Sequence, residues 1–274
     1  MSVEDNRISS QWLALREPAD AAARASDLVD RLGSHLPATG GLVIHDLGGG
    51  TGSMGRWLAP RLPGPQHWVV HDRDADLLEV VGGELPGRAA DGSAVTVETR
   101  MSDIARLQPD DLAGATLVTA SALLDLLTAA ELARLVAACA GTACPVLLTL
   151  SVVGRVELVP ADPLDARVAA AFNAHQRRDT EHGRLLGPDA VAAAVGAFGA
   201  QGAESVVRPS PWRLGAREAD LAAEWIAGWV GAACEQQPEL TAETGTYADR
   251  RRAEAAAGRL SVTVDHADLL VLPA

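Results

Sequence analysis

The stretch VIHDLGGGTGSMG, residues 43–55, constrains the fold of this chain more than any other part of it. An apolar run ends near Asp46, glycines follow, and the residues after them favour a helix. A strand that ends in glycines before a helix lets the backbone approach a ligand closely and directs free N–H groups at a negative group. Two glycine patterns overlap here, Gly48-x-Gly50-x-Gly52 and Gly50-x-Gly52-x-x-Gly55. The stretch therefore predicts a cofactor-binding loop, and the two patterns imply different cofactors.

Short apolar segments alternate with segments of helical periodicity along the rest of the chain. The predicted strands are 42–47, 67–72, 94–100, 115–121, 145–153, 204–208 and a terminal segment within 259–273. The predicted helices cover 7–36 with a break at Pro18, the residues after the loop to about 62, 74–85, 129–140, 188–199, 216–236 and 240–257. This alternation is typical of a doubly wound α/β fold. We expect a Rossmann-like, seven-stranded, mostly parallel sheet with helices on both faces.

No internal repeat or long low-complexity linker divides the chain, so we expect a single domain over residues 1–274. Its expected parts are N-terminal helices (1–37), a cofactor-binding half (38–153), a helical insertion after strand 5 with the following helix near an acceptor site (154–200), and a C-terminal half that completes the sheet (201–274). The charged stretch 155–187 is predicted to cover the mouth of the sheet.

Composition excludes several classes of function. The formal net charge is -13, which disfavours nucleic acid and anionic membrane surfaces and favours a small-molecule partner. Because all 23 basic residues are arginine, the chain has no lysine for a Walker loop, a Schiff base or a Tyr-x-x-x-Lys pair. Three cysteines are too few and wrongly spaced for a disulfide framework or a four-ligand zinc site, so we expect no metal. The stretch MSVEDNRISSQW does not resemble a signal peptide, and no run of about 18 uncharged apolar residues occurs, so we expect a cytoplasmic protein.

Asp46, two residues before Gly48, distinguishes between the two glycine patterns. A carboxylate there would crowd a pyrophosphate but suits a ligand with a cationic amino group. Here the sequence resembles the class I S-adenosylmethionine-dependent methyltransferases, whose first motif is hydrophobic-Asp/Glu-x-Gly-x-Gly-x-Gly, matched from Asp46 to Gly52. On this interpretation Gly55 is a packing glycine in the first helix, and the cofactor is S-adenosyl-L-methionine.

The resemblance continues in register through residues 40–153. It implies that Asp72, at the end of the second strand, bridges the ribose hydroxyls, and that Arg73 borders the adenine. It also implies that Gln11 and Trp12 close the methionine end of the cofactor. The cofactor-binding residues implied together are Asp46, Gly48, Gly49, Gly50, Gly52, Asp72, Arg73, Ser102, Asp103, Ile104 and Ser121.

The methyl acceptor is expected to be a small molecule, such as a secondary metabolite with a hydroxyl, amine or carboxylate. The chain has Thr-Ala-Ser-Ala where some amino-group methyltransferases carry Asn/Asp-Pro-Pro-Tyr/Phe. His175, in the insertion, is the candidate general base because histidine titrates near neutrality, and a solvated helix-face histidine is the alternative interpretation. Two other functions stay open: an NAD(P)-dependent oxidoreductase that uses Gly50-x-Gly52-x-x-Gly55, and a protein that binds S-adenosylmethionine without catalysis.

Overall fold

The computed structural model describes residues 8–273, with the side chains of 82–84 left aside, so residues 1–7 of the expected N-terminal segment lie outside it. The strands are β1 (Leu42–Leu47), β2 (Gln66–Asp72), β3 (Val95–Met101), β4 (Leu117–Ser121), β5 (Val146–Val159), β6 (Asp179–Thr180), β7 (Gly183–Arg184), β8 (Glu204–Pro209), β9 (Trp212–Leu214) and β10 (Ser261–Leu272). The helices are α1 (Ser10–Ala23), α2 (Ser26–Gly33), α3 (Ser53–Leu58), α4 (Ala75–Glu84), α5 (Ala129–Ala140), α6 (Asp165–Gln176), α7 (Ala190–Ala200), α8 (Ala219–Gln236) and α9 (Thr241–Ala256).

The main sheet has the strand order β3-β2-β1-β4-β5-β10-β8, and β9 pairs with the first part of β10. Strands β1 to β5 are mutually parallel, whereas β10 is antiparallel to both β5 and β8. This confirms the doubly wound, mostly parallel sheet: its seven predicted strands are present and β9 is an addition. The strand order reverses between β1 and β4, and such a switch point opens a crevice at the carboxyl ends of the strands.

Helices cover both faces of the sheet, as the sequence predicted. On one face α2 and α3 pack with Ile44 of β1 and Trp68 of β2, and α4 packs there with Val70. On the other face α5 and α7 pack against Val118 and Leu148. A third apolar cluster joins α6, α8 and α9 to β9 and the first part of β10.

Two predicted boundaries are wrong. Pro18 lies exposed within α1 and does not break it. The helix ends instead at Ala23, where Arg24 turns to extended backbone and Asp268 accepts a hydrogen bond from the Ala25 N–H at 2.8 Å. Strand β5 continues to Val159, through the first residues of the predicted insertion, because 155–159 alternate between exposed and inward side chains that pair with β10.

The remainder of the predicted insertion contains α6, which packs on α8, and the β6–β7 hairpin. At the start of α6, Asp165 accepts two hydrogen bonds at 2.7 Å from the buried Arg251 and one at 2.6 Å from Tyr247. This buried cluster ties α6 to α9. Within residues 8–273, no helix is both long and apolar enough to cross a membrane.

Candidate functional site

The glycine loop between β1 and α3 has a backbone that only glycine adopts easily. Gly48, Gly50 and Gly52 have φ angles of +62°, +54° and +86°, in the left-handed region. The Gly52 N–H closes a turn onto the Gly49 carbonyl at 2.8 Å. The predicted glycines therefore shape a tight turn at the switch point of the sheet.

Three apolar side chains enclose this loop. A Cβ built on Gly48 would lie 3.2 Å from Leu123 and 3.3 Å from Ile104, and one on Gly50 would lie 3.1 Å from Leu13 of α1. Leu13 is thus the α1 side chain that lies against Gly50, and the closing role expected of Gln11 and Trp12 stays a prediction. The loop is covered from the β3 side, the β4 side and the N-terminal helix.

Asp46 lies directly beneath the loop. Its side chain is 0% exposed, and Thr119 of β4 donates a hydrogen bond of 2.7 Å to its Oδ1. Its Oδ2 has no hydrogen-bond partner among residues 8–273. Burial raises the pKa of Asp46 to about 7, against the hydrogen bond from Thr119 and the charge of Arg24. The carboxyl group is therefore poised to change charge near neutrality.

Asp72 holds the loop from the end of β2. One of its carboxylate oxygens accepts a hydrogen bond from the Gly50 N–H and the other from the Asp74 N–H, both at 2.9 Å. The side chain is half-buried, and each oxygen retains a second lone pair for a ligand. Arg73, next to it, is exposed.

The predicted residues after β3 divide between two environments. Asp103 caps the short 3₁₀ turn Ile104–Arg106 through the Ala105 N–H at 3.0 Å, and Ile104 lies against the loop. Ser102 instead hydrogen-bonds to His71 at 3.0 Å, and His71 in turn contacts His45 at 3.0 Å. The structure thus brings Ile104 to the loop and places Ser102 with a histidine pair.

Arg24, at the junction of α1 and α2, is a site residue that the sequence analysis missed. It is 4% exposed, and its Nη2 donates to Ser53 at the start of α3 and to Ser121 at the end of β4, both at 3.1 Å. Its Nε and Nη1 have no hydrogen-bond partner among residues 8–273. No spacing pattern distinguishes Arg24 from the other arginines, because its role depends on packing between distant segments.

Buried carboxylates surround Arg24. Burial lowers the pKa of Arg24, whereas the charges of Asp20, Asp268 and Asp46 raise it. Asp268 accepts hydrogen bonds of 2.8 Å from the Ala25 and Leu150 N–H groups. Since Asp20 is already paired with Arg16, the group formed by Arg24, Asp46 and Asp268 carries a formal charge of -1 when fully ionised.

His175 lies in α6 and pairs with Glu235 of α8, with 3.1 Å between Nε2 and Oε2. Burial and the charge of Arg178 lower the pKa of His175. Within residues 8–273, its ring contacts Glu235 and Arg178, and neither residue belongs to the glycine loop or to β4. Its proposed role as a base stays a prediction, without support from its neighbours.

The sequence matches no protein-family model and no curated protein. Among solved structures, a cyclopropane synthase from Mycobacterium tuberculosis is 14% identical, with 96% of this chain and 94% of that chain covered and a TM-score of 0.50. An S-adenosylmethionine-dependent methyltransferase from Geobacter sulfurreducens, in complex with S-adenosyl-L-homocysteine, is 14% identical, with coverage of 97% and 99% and a TM-score of 0.44. A geranyl diphosphate C-methyltransferase from Streptomyces coelicolor A3(2) is 11% identical, with coverage of 91% and 77% and a TM-score of 0.44.

The likeness to the cyclopropane synthase concerns the fold alone. Together with the strand order, it shows that the chain has the fold of the class I S-adenosylmethionine-dependent methyltransferases. The fold that the motifs predicted is therefore confirmed.

Proposed function

We propose that the protein is a single-domain, cytoplasmic methyltransferase that transfers a methyl group from S-adenosyl-L-methionine to a small-molecule acceptor. The observation that carries this proposal is a pair of buried, incompletely bonded groups of opposite charge at the glycine loop. Asp46 Oδ2 and the Nε and Nη1 of Arg24 have no hydrogen-bond partners among residues 8–273. An α-amino acid end, with one ammonium and one carboxylate, is the chemical complement of such a pair.

Net charge supports the same cofactor. S-adenosylmethionine carries an ammonium, a carboxylate and a sulfonium, for a net charge of +1, against the -1 that Arg24, Asp46 and Asp268 carry together when fully ionised; an ammonium next to Asp46 favours its ionised form. A dinucleotide would bring a doubly negative pyrophosphate next to Asp46, which favours the methyl donor over the oxidoreductase alternative.

The remaining residues fit the other parts of the cofactor. We assign Asp72, whose oxygens each retain a lone pair, to the ribose hydroxyls, and Ile104 and Leu123, the apolar side chains against Gly48, to the adenine. When bound, the cofactor supplies an electrophilic methyl group. The chain then has to orient the reactants in line and exclude water, and α1, with Leu13 over the loop, is placed to exclude it.

The test is calorimetry with ligands that do or do not carry the amino acid end. We expect S-adenosyl-L-homocysteine to bind with a Kd on the order of micromolar. Arg24→Gln should weaken it by about tenfold to a hundredfold, the effect of losing a charge-assisted hydrogen bond. Binding of 5′-methylthioadenosine, which lacks that end, should be unchanged. Arg31→Gln, at an exposed ion pair with Glu204, is the control.

Binding of NAD with no response to S-adenosyl-L-homocysteine would overturn the assignment. Turnover separates a methyltransferase from a protein that only binds the cofactor. Release of S-adenosyl-L-homocysteine in the presence of amine and hydroxyl acceptors supports catalysis, and binding without release across that panel supports the non-catalytic alternative.

A further inference from the structure

The chain turns sharply at the carboxyl end of β4. Ala122, the residue after Ser121, has a φ angle of +52°, a strained conformation for a non-glycine residue that often occurs at functional sites. A 3₁₀ turn over Leu124–Leu126 follows, anchored by the buried side chain of Leu124. Asp125 is therefore held in a fixed turn four residues beyond Ser121.

Among residues 8–273, the carboxylate of Asp125 accepts no hydrogen bond from another residue, although the side chain is half-buried. Asp125 does not serve as a helix cap, because Thr128 and Glu131 already cap the N-terminus of α5 by reciprocal hydrogen bonds. Burial raises the pKa of Asp125, and a hydrogen bond from its own backbone N–H and the charge of Arg16 oppose this shift. A half-buried carboxylate that bonds to no other residue in 8–273 thus lies four residues beyond Ser121.

Helix α1 lines the same region. Arg16 lies over the ring of Trp212 at 4.9 Å and near that of Trp12 at 6.0 Å. Its guanidinium is committed to Asp20, with bonds of 2.8 and 3.2 Å, so it influences Asp125 through its charge and leaves that carboxylate available. Leu123 contacts the loop at Gly48, which connects the turn of Asp125 directly to the cofactor loop.

We propose that Asp125 is the acceptor-binding carboxylate and the general base for an acceptor with an N–H or O–H nucleophile. This inference rests on the proposed function and specifies its substrate class. The neutral amine or hydroxyl donates a hydrogen bond to Asp125, and its lone pair forms the new bond to the methyl carbon. The carbon–sulfur bond breaks with its electrons retained on sulfur, and the nucleophile's proton passes to the Asp125 carboxylate.

The test uses sinefungin, a cofactor analogue in which a carbon bearing a primary amine replaces the methylated sulfur. Its ammonium group projects toward the acceptor, so Asp125 should bind it, whereas S-adenosyl-L-homocysteine offers no such group. We expect the protein to bind sinefungin about tenfold more tightly than S-adenosyl-L-homocysteine. Asp125→Asn should abolish this preference and leave the affinity for S-adenosyl-L-homocysteine unchanged.

Asp110→Asn, at an exposed aspartate of the 3₁₀ turn Pro109–Leu112, is the matched control. Asp125→Ser serves as a second variant, and thermal unfolding checks that each variant is folded. If the Asp125 variants bind sinefungin as the unsubstituted protein does, the inference is wrong and the proposed function stands. If neither ligand binds the unsubstituted protein, the proposed function itself fails.

Discussion

Gly49, in the glycine loop, packs closely on Asp46, the residue that distinguishes the two glycine patterns. A Cβ at this position would lie 2.5 Å from Val70 Cγ1 and 2.7 Å from Asp46 Oδ2, both on fully buried side chains. Gly49 therefore has to be glycine because of packing, whereas Gly48 and Gly50 have to be glycine because of their backbone angles.

We expect Gly49→Ala to lower the free energy of unfolding by about 1–3 kcal/mol, the usual effect of overpacking a core. Gly196→Ala, within α7 where a Cβ would meet nothing within 4 Å, should be neutral or stabilising. Urea denaturation of both variants measures the difference. Equal stabilities would show that Val70 and Asp46 move aside without cost.

The pair of His45 and His71, on the strands next to Asp46, leads to a prediction about how the stability of the fold depends on pH. Burial lowers the pKa of both His45 and His71 to about 4, so the folded protein holds them neutral while an unfolded chain takes up protons below about pH 6.5. A histidine whose pKa is lower in the folded than in the unfolded protein stabilises the fold above pH 6.5, and this stabilisation is lost as the pH falls toward 4.

As the pH falls from 6.5 to 4, the unsubstituted protein should therefore lose more stability than His71→Gln does. The raised pKa values of Asp46, Asp125 and Asp268 act in the opposite direction but are common to both proteins, so they largely cancel. Urea midpoints across this range measure the shift. His35→Gln, at an exposed histidine, should show no such trend, and a constant difference for His71→Gln would refute the argument.

Residues of the candidate site differ in how far sequence could predict them. Asp46 and Asp72 were predictable in position because each ends a strand at the edge where parallel strands place their carboxyl ends. Arg24 and Asp125 were not, because nothing in their local pattern shows that one is buried between segments and the other lacks a partner. Arg24 reaches Ser53 and Ser121, which lie 29 and 97 residues away along the chain, and no local spacing encodes such contacts.

At the scale of elements, periodicity predicted most helices and strands, and the failures have identifiable causes. The charges of Arg155 and Glu157 concealed the second half of β5, although both lie on its exposed face and alternate with the inward residues Val156 and Leu158. The three-residue strand β9 is too short to show alternation. The helical segment 7–36 was expected to break at Pro18, but the break lies after Ala23, where the backbone is extended and the Ala25 N–H donates a hydrogen bond to Asp268.

Helix α1 is the element that converts the sheet edge into an enclosed site. It contacts the loop through Leu13, pairs with α3 through Glu17 and Arg56 at 2.6 Å, and ends at Ala23, directly before Arg24. The N-terminal segment thus adds one buried charge, Arg24, to the buried carboxylates Asp46 of β1 and Asp268 of β10.

At the scale of the whole molecule, the formal net charge of -13 and the buried group of Arg24, Asp46 and Asp268 both favour a cationic ligand. A strongly negative surface raises the local concentration of a cation and has less effect on a zwitterion. S-adenosylmethionine, with a net charge of +1, should therefore respond more strongly to this field than S-adenosyl-L-homocysteine, whose net charge is zero.

We expect the Kd of S-adenosylmethionine to rise several-fold between about 0.01 M and 1 M salt, as the Debye length falls from about 30 Å to 3 Å. The Kd of S-adenosyl-L-homocysteine should change by less than about twofold over the same range, because a screened field acts little on a zwitterion. Titration calorimetry in sodium chloride measures both. A parallel response of the two ligands would show that surface charge does not contribute, and that discrimination between substrate and product rests on contacts with the sulfur and its methyl group.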